Sequence, residues 1–182
     1  MLTEITEKDG FLIDLKYASK DNFTREIVYK KPKCYLHSEA FEKLKLAQKF
    51  AEKLGFKIKI FDAFRPAEAQ YILWNHTPDP NFLAHPERGS AHSRGVAVDL
   101  TLLDKNNNEL DMGTAFDAFT PLSYLTENEN ISTEAIKNRM ILLGIMSASG
   151  WDFYKNEWWH FQLFDAKKYP LIWDKDAKTD MM

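Results

Sequence analysis

Ser90-Ala91-His92-Ser93-Arg94-Gly95-Val96-Ala97-Val98-Asp99-Leu100-Thr101-Leu102 is the stretch on which the reading of the fold turns. Val96, Val98 and Leu100 alternate with Ala97, Asp99 and Thr101, the period of two that marks a strand. A strand is therefore predicted over residues 96–102, with Asp99 on the face opposite Val98. Six residues separate His92 from Asp99, and Ser93-Arg94-Gly95 lets the chain turn before the strand, so loop and strand can converge on one point. Gly95 and Ala97 are small, as suits a floor where backbone approaches a bound group closely. A histidine and an aspartate at this spacing also occur on many solvated turns, and the segment alone does not separate the two readings.

Upstream, Phe56-Lys57-Ile58-Lys59-Ile60-Phe61 alternates in the same way and delivers the chain to Asp62-Ala63-Phe64-Arg65-Pro66. Pro66 opens a predicted helix running to about Trp74, which places Arg65 at a strand-to-helix corner. By residue type alone Arg65 is a surface arginine. Ala40, Leu44, Ala47, Ala51 and Leu54 recur at helical intervals over residues 38–54, with Ser38 as expected cap and Gly55 as stop. Phe11, Ile13, Leu15 and Tyr17 predict a strand over residues 11–17. Residues 75–90, with Pro78, Pro80 and Pro86, read as a long surface loop, and loops of that length usually serve function.

Asn106-Asn107-Asn108 is a turn. Ile136, Met140 and Leu143 predict a helix over 132–147, capped by Ser132 or Thr133 and closed by Gly150, and residues 158–163 form a last strand. Strands outnumber long helices without regular alternation, so the expected class is α+β: one domain over residues 1–182, a mixed or antiparallel sheet with helices packed around it.

At 182 residues, 45% of them hydrophobic and 28% charged, the chain is long enough for an ordinary globular core. Its 24 basic and 27 acidic residues give a net charge of -3 with no basic stripe, which argues against a nucleic-acid partner. The single cysteine, Cys34, excludes an intramolecular disulfide and fits a reducing compartment. The polar segment Met1-Leu2-Thr3-Glu4-Ile5-Thr6-Glu7-Lys8-Asp9 lacks the basic and apolar regions of a secretory signal, so a cytoplasmic location is expected. No run approaches the ~18 apolar residues of a membrane span.

The second informative segment is Glu157-Trp158-Trp159-His160. Alone it reads as an exposed carboxylate and a half-buried imidazole, with Trp158, Trp159 and Phe161 as core. In combination, His92, Asp99 and His160 supply the two imidazoles and one carboxylate of a catalytic zinc site with an open fourth position, one Zn2+ per chain. Glu157, three residues before a ligand, is the candidate to take a proton from water. His37, His76 and His85 read as structural or solvated, and Cys34 as a small, partly buried side chain.

The chain also resembles the VanX-type D-alanyl-D-alanine dipeptidases, within a wider group of zinc peptidases that includes D-Ala-D-Ala carboxypeptidases. The likeness rests on Asp14-Leu15-Lys16-Tyr17-Ala18 with Asp21-Asn22-Phe23-Thr24, on Asp62-Ala63-Phe64-Arg65-Pro66, on Gly89 through Gly95 with Asp99-Leu100-Thr101, on Met112-Gly113 with Phe116-Asp117, and on Glu157-Trp158-Trp159-His160. Arg25 departs from it, standing where a small residue is expected.

The resemblance implies a cytoplasmic zinc enzyme that splits the dipeptide D-Ala-D-Ala into two D-alanines. It implies Glu157 as base and then acid, and Arg65 as stabiliser of the oxyanion. Asp117 would meet the substrate ammonium and Ser90 its carboxylate, with Tyr17 a further substrate-binding residue. Two alternatives stand beside it: a D,D-carboxypeptidase or other peptidoglycan peptidase of the same zinc group, and a zinc-stabilised binding module. Neither the sequence nor the resemblance indicates an oligomeric state.

Overall fold

The computed structural model describes residues 1–127 and 129–182. In chain order its strands are β1 (Leu2–Ile5), β2 (Leu12–Ile13), β3 (Cys34–His37), β4 (Lys57–Asp62), β5 (Ala97–Leu103), β6 (Asp152–Phe153) and β7 (His160–Gln162). Its α-helices are α1 (Ser38–Lys53), α2 (Ala67–His76), α3 (Thr133–Ala148) and α4 (Asp174–Ala177). β1 and β3 form an antiparallel ribbon, and the other five strands make one sheet in the order β2-β4-β5-β7-β6. β2 runs parallel to β4, and the remaining neighbours are antiparallel, so the fold is α+β with a mixed sheet.

One sheet face is closed by helices. Ile58, Ile60, Val98, Leu100 and Leu102 pack in one buried cluster with Leu44 and Ala47 of α1 and Leu142 and Ile145 of α3. All seven residues of β5 are buried, which identifies it as the central strand, covered on both faces. The cap of α1 differs from expectation: Nδ1 of His37 accepts from the Glu39 amide at 3.4 Å, and Ser38 already lies within the first turn. In α3 the expected Ser132 cap is present, its hydroxyl accepting from the Ala135 amide at 3.0 Å.

The strand expected over residues 11–17 stops early. After Asp14 donates its amide to the Ile60 carbonyl at 2.9 Å, the chain winds into a 3-10 turn over Lys16–Ala18. Lys16 is drawn to Asp14 and Asp21 at 3.1 and 2.7 Å, and Tyr17 swings inward to become buried. The last strand is likewise short: Trp158 donates its amide sideways to the Ser123 carbonyl, the Trp159 carbonyl accepts from Leu100, and the strand proper runs only from His160 to Gln162. The ribbon of β1 and β3, strand β6 and helix α4 add to what the sequence pattern predicts. Between Ile60 and Asp62 the register of β4 against β5 shifts, so Ile60 pairs with Leu100 but Asp62 pairs with Asp99. That irregularity turns Asp62 toward the face of the sheet that the helices leave free.

Candidate active site

Three elements bring the predicted ligands together. Asp99 on β5 and His160 on β7 are register partners, so their side chains stand next to each other on one face. His92 arrives from a 3-10 turn over His92–Arg94, which Gly95 closes with a φ of +69° that suits glycine. A Cβ at Gly95 would also stand 2.7 Å from the Leu2 side chain and 3.3 Å from the His37 backbone. Nε2 of His92 lies 3.2 Å from Oδ1 of Asp99 and 3.1 Å from Nδ1 of His160, which is itself 3.1 Å from the same carboxylate oxygen.

The protons on this cluster decide what it can hold. Nδ1 of His92 donates to the Ala63 carbonyl at 2.7 Å, and Nε2 of His160 donates to Oε1 of Gln162 at 3.2 Å. With those outer nitrogens as donors, each ring would present its other nitrogen inward, and the carboxylate adds a third ligand atom. The three buried ligand atoms lie within 4.8 Å of one another, a spacing that fits one cation. Two imidazoles and one carboxylate suit a divalent metal that prefers nitrogen with oxygen.

The remaining predicted residues line the same cavity, of about 200 Å³. The Glu157 carboxylate is buried, 3.8 Å from Nδ1 of His160. Arg65 is buried, which corrects the reading of it as a surface arginine. Its Nε donates to Asp62 at 2.8 Å, one terminal nitrogen to Gln70 at 3.0 Å, and the other reaches Asp99 at 3.5 Å. The Tyr17 ring lies 4.9 Å from the guanidinium carbon, and its hydroxyl donates to Asp117 at 2.9 Å. The Ser90 hydroxyl accepts from the His92 amide at 3.1 Å, which leaves its own proton free to donate.

The model of the peptidase M15 family, described as D-ala-D-ala dipeptidase, matches residues 6–177. The chain belongs to that family. It is 40% identical to the D-alanyl-D-alanine dipeptidase of Escherichia coli over 163 residues, covering 90% of this chain and 84% of that protein. Against the D-alanyl-D-alanine dipeptidase of Enterococcus faecalis the identity is 33% over 182 residues, covering 88% and 89%. Against that of Streptomyces coelicolor it is 35% over 175 residues, covering 85% and 86%. The family is one of metallopeptidases, and the triad accounts for where a metal would sit in this member.

Within this M15 peptidase the cavity is electrically uneven. Burial pushes the Glu157 carboxyl well above the usual range, the charges of Asp99 and Asp117 push it further, and Arg65 opposes them. Burial likewise raises Asp117, with Asp99 adding to the effect and Arg65 opposing it. Asp117 takes a left-handed φ of +56°, a conformation that aspartate tolerates better than most residues. The loop bearing it is clamped by buried Arg139, which donates to the carbonyls of Met112, Leu122 and Tyr124, each at 2.8 Å.

Sequence reasoning missed Asp62, Tyr29 and Gln70 as parts of the site. Tyr29 donates to Asp62 at 2.8 Å, and Gln70 joins Arg65 to the Ala84 carbonyl, reached at 2.7 Å. The one available signal was the position of Asp62 at a strand end, three residues before Arg65.

Proposed function

We propose that this chain is a zinc-dependent dipeptidase, a single domain over residues 1–182 that hydrolyses D-alanyl-D-alanine to two D-alanines in the cytoplasm. The observation that carries the proposal is the convergence of three buried metal-donor side chains with Glu157 and Arg65 in one small cavity. His92 through Nε2, Asp99 and His160 through Nδ1 would hold one zinc ion. Zinc bound there supplies Lewis acidity, polarising the scissile carbonyl and lowering the pKa of water toward ~7.

Every other part of the work falls to side chains. Glu157 as carboxylate accepts a proton from the attacking water, and the acid so formed, which burial favours, passes it to the leaving amine. Arg65 has five N–H donors, and three are used within the protein, which leaves one on each terminal nitrogen for the oxyanion. Asp62 and Gln70 hold that fork in place. Asp117 has the Tyr17 hydroxyl as its hydrogen-bond partner and so can receive the substrate ammonium, while Ser90 donates to the substrate carboxylate. Blocking the ammonium would then leave the Asp117 carboxylate with Tyr17 but without a counter-charge, which disfavours acylated and longer substrates by several kcal/mol.

The presence of Glu157 and Arg65 beside a triad with no fourth protein ligand among the described residues argues against a pure binding module, since a structural zinc is ordinarily closed by a fourth protein ligand. Among the described residues no helix is long and apolar enough to cross a membrane.

The test is D-alanine release from D-Ala-D-Ala by zinc-loaded protein, with N-acetyl-D-Ala-D-Ala and L-Ala-L-Ala alongside. Release from the free D,D-dipeptide is expected, and Glu157→Ala should slow it about 10²- to 10⁴-fold while retaining zinc. Equal hydrolysis of the N-acetyl substrate would reject the two-ended pocket, and a fully active Glu157→Ala would reject the role of Glu157.

A further inference from the structure

The cavity is enclosed on one side by the segment that follows α2, and that segment has fastenings the hydrolytic chemistry does not require. Residues 79–83 form a compact turn: the Asp79 carboxylate accepts from the Asn81 amide at 2.9 Å, and the Asp79 carbonyl accepts from the Phe82 and Leu83 amides at 3.2 and 2.8 Å. Pro80, Phe82, Leu83 and Ala84 line the cavity. Such a turn holds its own shape, so its position over the cavity depends on what it is tied to.

There are two ties. On one side the Ala84 carbonyl accepts from Gln70, which also accepts from Arg65. On the other, the Asn81 carbonyl accepts from both the Tyr154 hydroxyl and the Asn156 side-chain amide, each at 2.9 Å. The Asn156 amide lies 3.3 Å from the Tyr154 hydroxyl as well, so the three groups form a closed set. Tyr154 and Asn156 stand on the turn that ends with the Glu157 amide donating to the Tyr154 carbonyl at 3.2 Å. The Phe82 ring stacks on Phe119 at 4.8 Å and 10°. The turn is thereby joined at one end to the arginine and at the other to the turn that presents Glu157.

Asn81 is exposed, Tyr154 half-buried and Asn156 buried, so this second tie runs from the buried Glu157 turn out to the rim of the cavity. A bond at the rim governs how far the wall can swing out and thus how long a substrate fits. We propose that Tyr154 and Asn156 are specificity-determining positioning residues: by holding the Asn81 carbonyl they keep the cavity closed to peptides longer than a dipeptide. The inference rests on the dipeptidase reading and deepens it.

Asn156→Ala and Tyr154→Phe each remove one donor to Asn81. In the full, zinc-loaded chain, kcat/KM is measured for D-Ala-D-Ala and for D-Ala-D-Ala-D-Ala, together with hydrogen exchange of the Asn81, Phe82 and Leu83 amides. Both variants should lower the dipeptide-to-tripeptide ratio at least tenfold, chiefly through gain on the tripeptide. Exchange in residues 79–83 should quicken while that of α1 and α3 stays as in the parent. Unchanged exchange would overturn the tie, and faster exchange with an unchanged ratio would overturn its role in specificity. Should the parent protein release no D-alanine from the dipeptide, the dipeptidase reading fails, and exchange in the same samples still supports or overturns the tie.

Discussion

Asp99 and His160 meet across β5 and β7 because strand register sets them opposite each other, whereas Asp117 and the turn around Asn81 are brought to the same cavity on loops held by side chain-to-backbone bonds. The first pair is positioned by the ladder at the centre of the sheet. The second depends on Arg139 gripping three carbonyls and on Tyr154 and Asn156 gripping one. Arg65 belongs with the sheet-held half, since Asp62 at the end of β4 accepts from it. Under the proposed function the contrast would divide the labour: apart from Glu157 on its turn, the groups assigned to the scissile bond stand on or against the sheet, and those assigned to the substrate stand on loops. Substitutions in the first half should therefore reduce turnover, and those in the second should change selectivity.

The largest effect expected from this division is at Arg65. Arg65→Lys keeps a cation beside buried Asp62 but loses the planar fork that reaches Asp62, Gln70 and the cavity together. Loss of an oxyanion donor is worth roughly 3–4 kcal/mol, so kcat should fall about 10²- to 10³-fold with zinc content unchanged. Steady-state kinetics with metal analysis checks this. A kcat within tenfold of the parent would remove Arg65 from the groups proposed to act on the scissile bond.

Asp117→Asn tests the loop-held half and should have a smaller effect. Asparagine tolerates the same left-handed φ and still accepts from Tyr17, so the backbone need not move. What is lost is a charge-assisted bond to the substrate ammonium, about 1.5–3 kcal/mol. That corresponds to roughly ten- to 150-fold in kcat/KM on the free dipeptide, with little change on the N-acetyl form. A parallel loss on both substrates would mean that Asp117 supports structure rather than choosing substrate.

The same division explains what could be read from the sequence. Period-two alternation located β4 and β5, apolar spacing located α1 and α3, and ligand chemistry located His92, Asp99 and His160, because each of these signals lies within a few residues or in the donor set itself. The Asp62–Asp99 pairing needs a register shift, which leaves no trace in residue type. Strand β2 ends at Ile13 because Lys16 finds Asp14 and Asp21, and β1, whose own burial does not alternate, pairs with β3 across nearly thirty residues. Arg65 reads as a surface residue until Tyr17, from a distant segment, joins the nearby Asp62 and Gln70 around it. Tyr154 and Asn156 were illegible for the same reason, since their acceptor is a carbonyl far away in the chain.

The smallest effect concerns the loop-held half by itself. Arg25, where family likeness leads one to expect a small residue, is exposed and takes a φ of +59° in a turn closed by its amide donating to the Asn22 carbonyl at 3.1 Å. A left-handed conformation costs an ordinary residue about 1–2 kcal/mol, and glycine removes that cost while adding about 0.5–1 kcal/mol of unfolded-state entropy. The net gain for Arg25→Gly is roughly 0.5 kcal/mol, equivalent to a rise in Tm of about 1–2 °C for a chain of this size. Arg25→Ala keeps the strain and should show no rise. Because the loop contains Asn22 and Thr24, which brace one another at 2.6 Å beside Tyr17, kinetics should remain at the parent level in both variants. A stabilised Arg25→Ala would show that the arginine side chain, rather than its backbone angle, is what disfavours the loop.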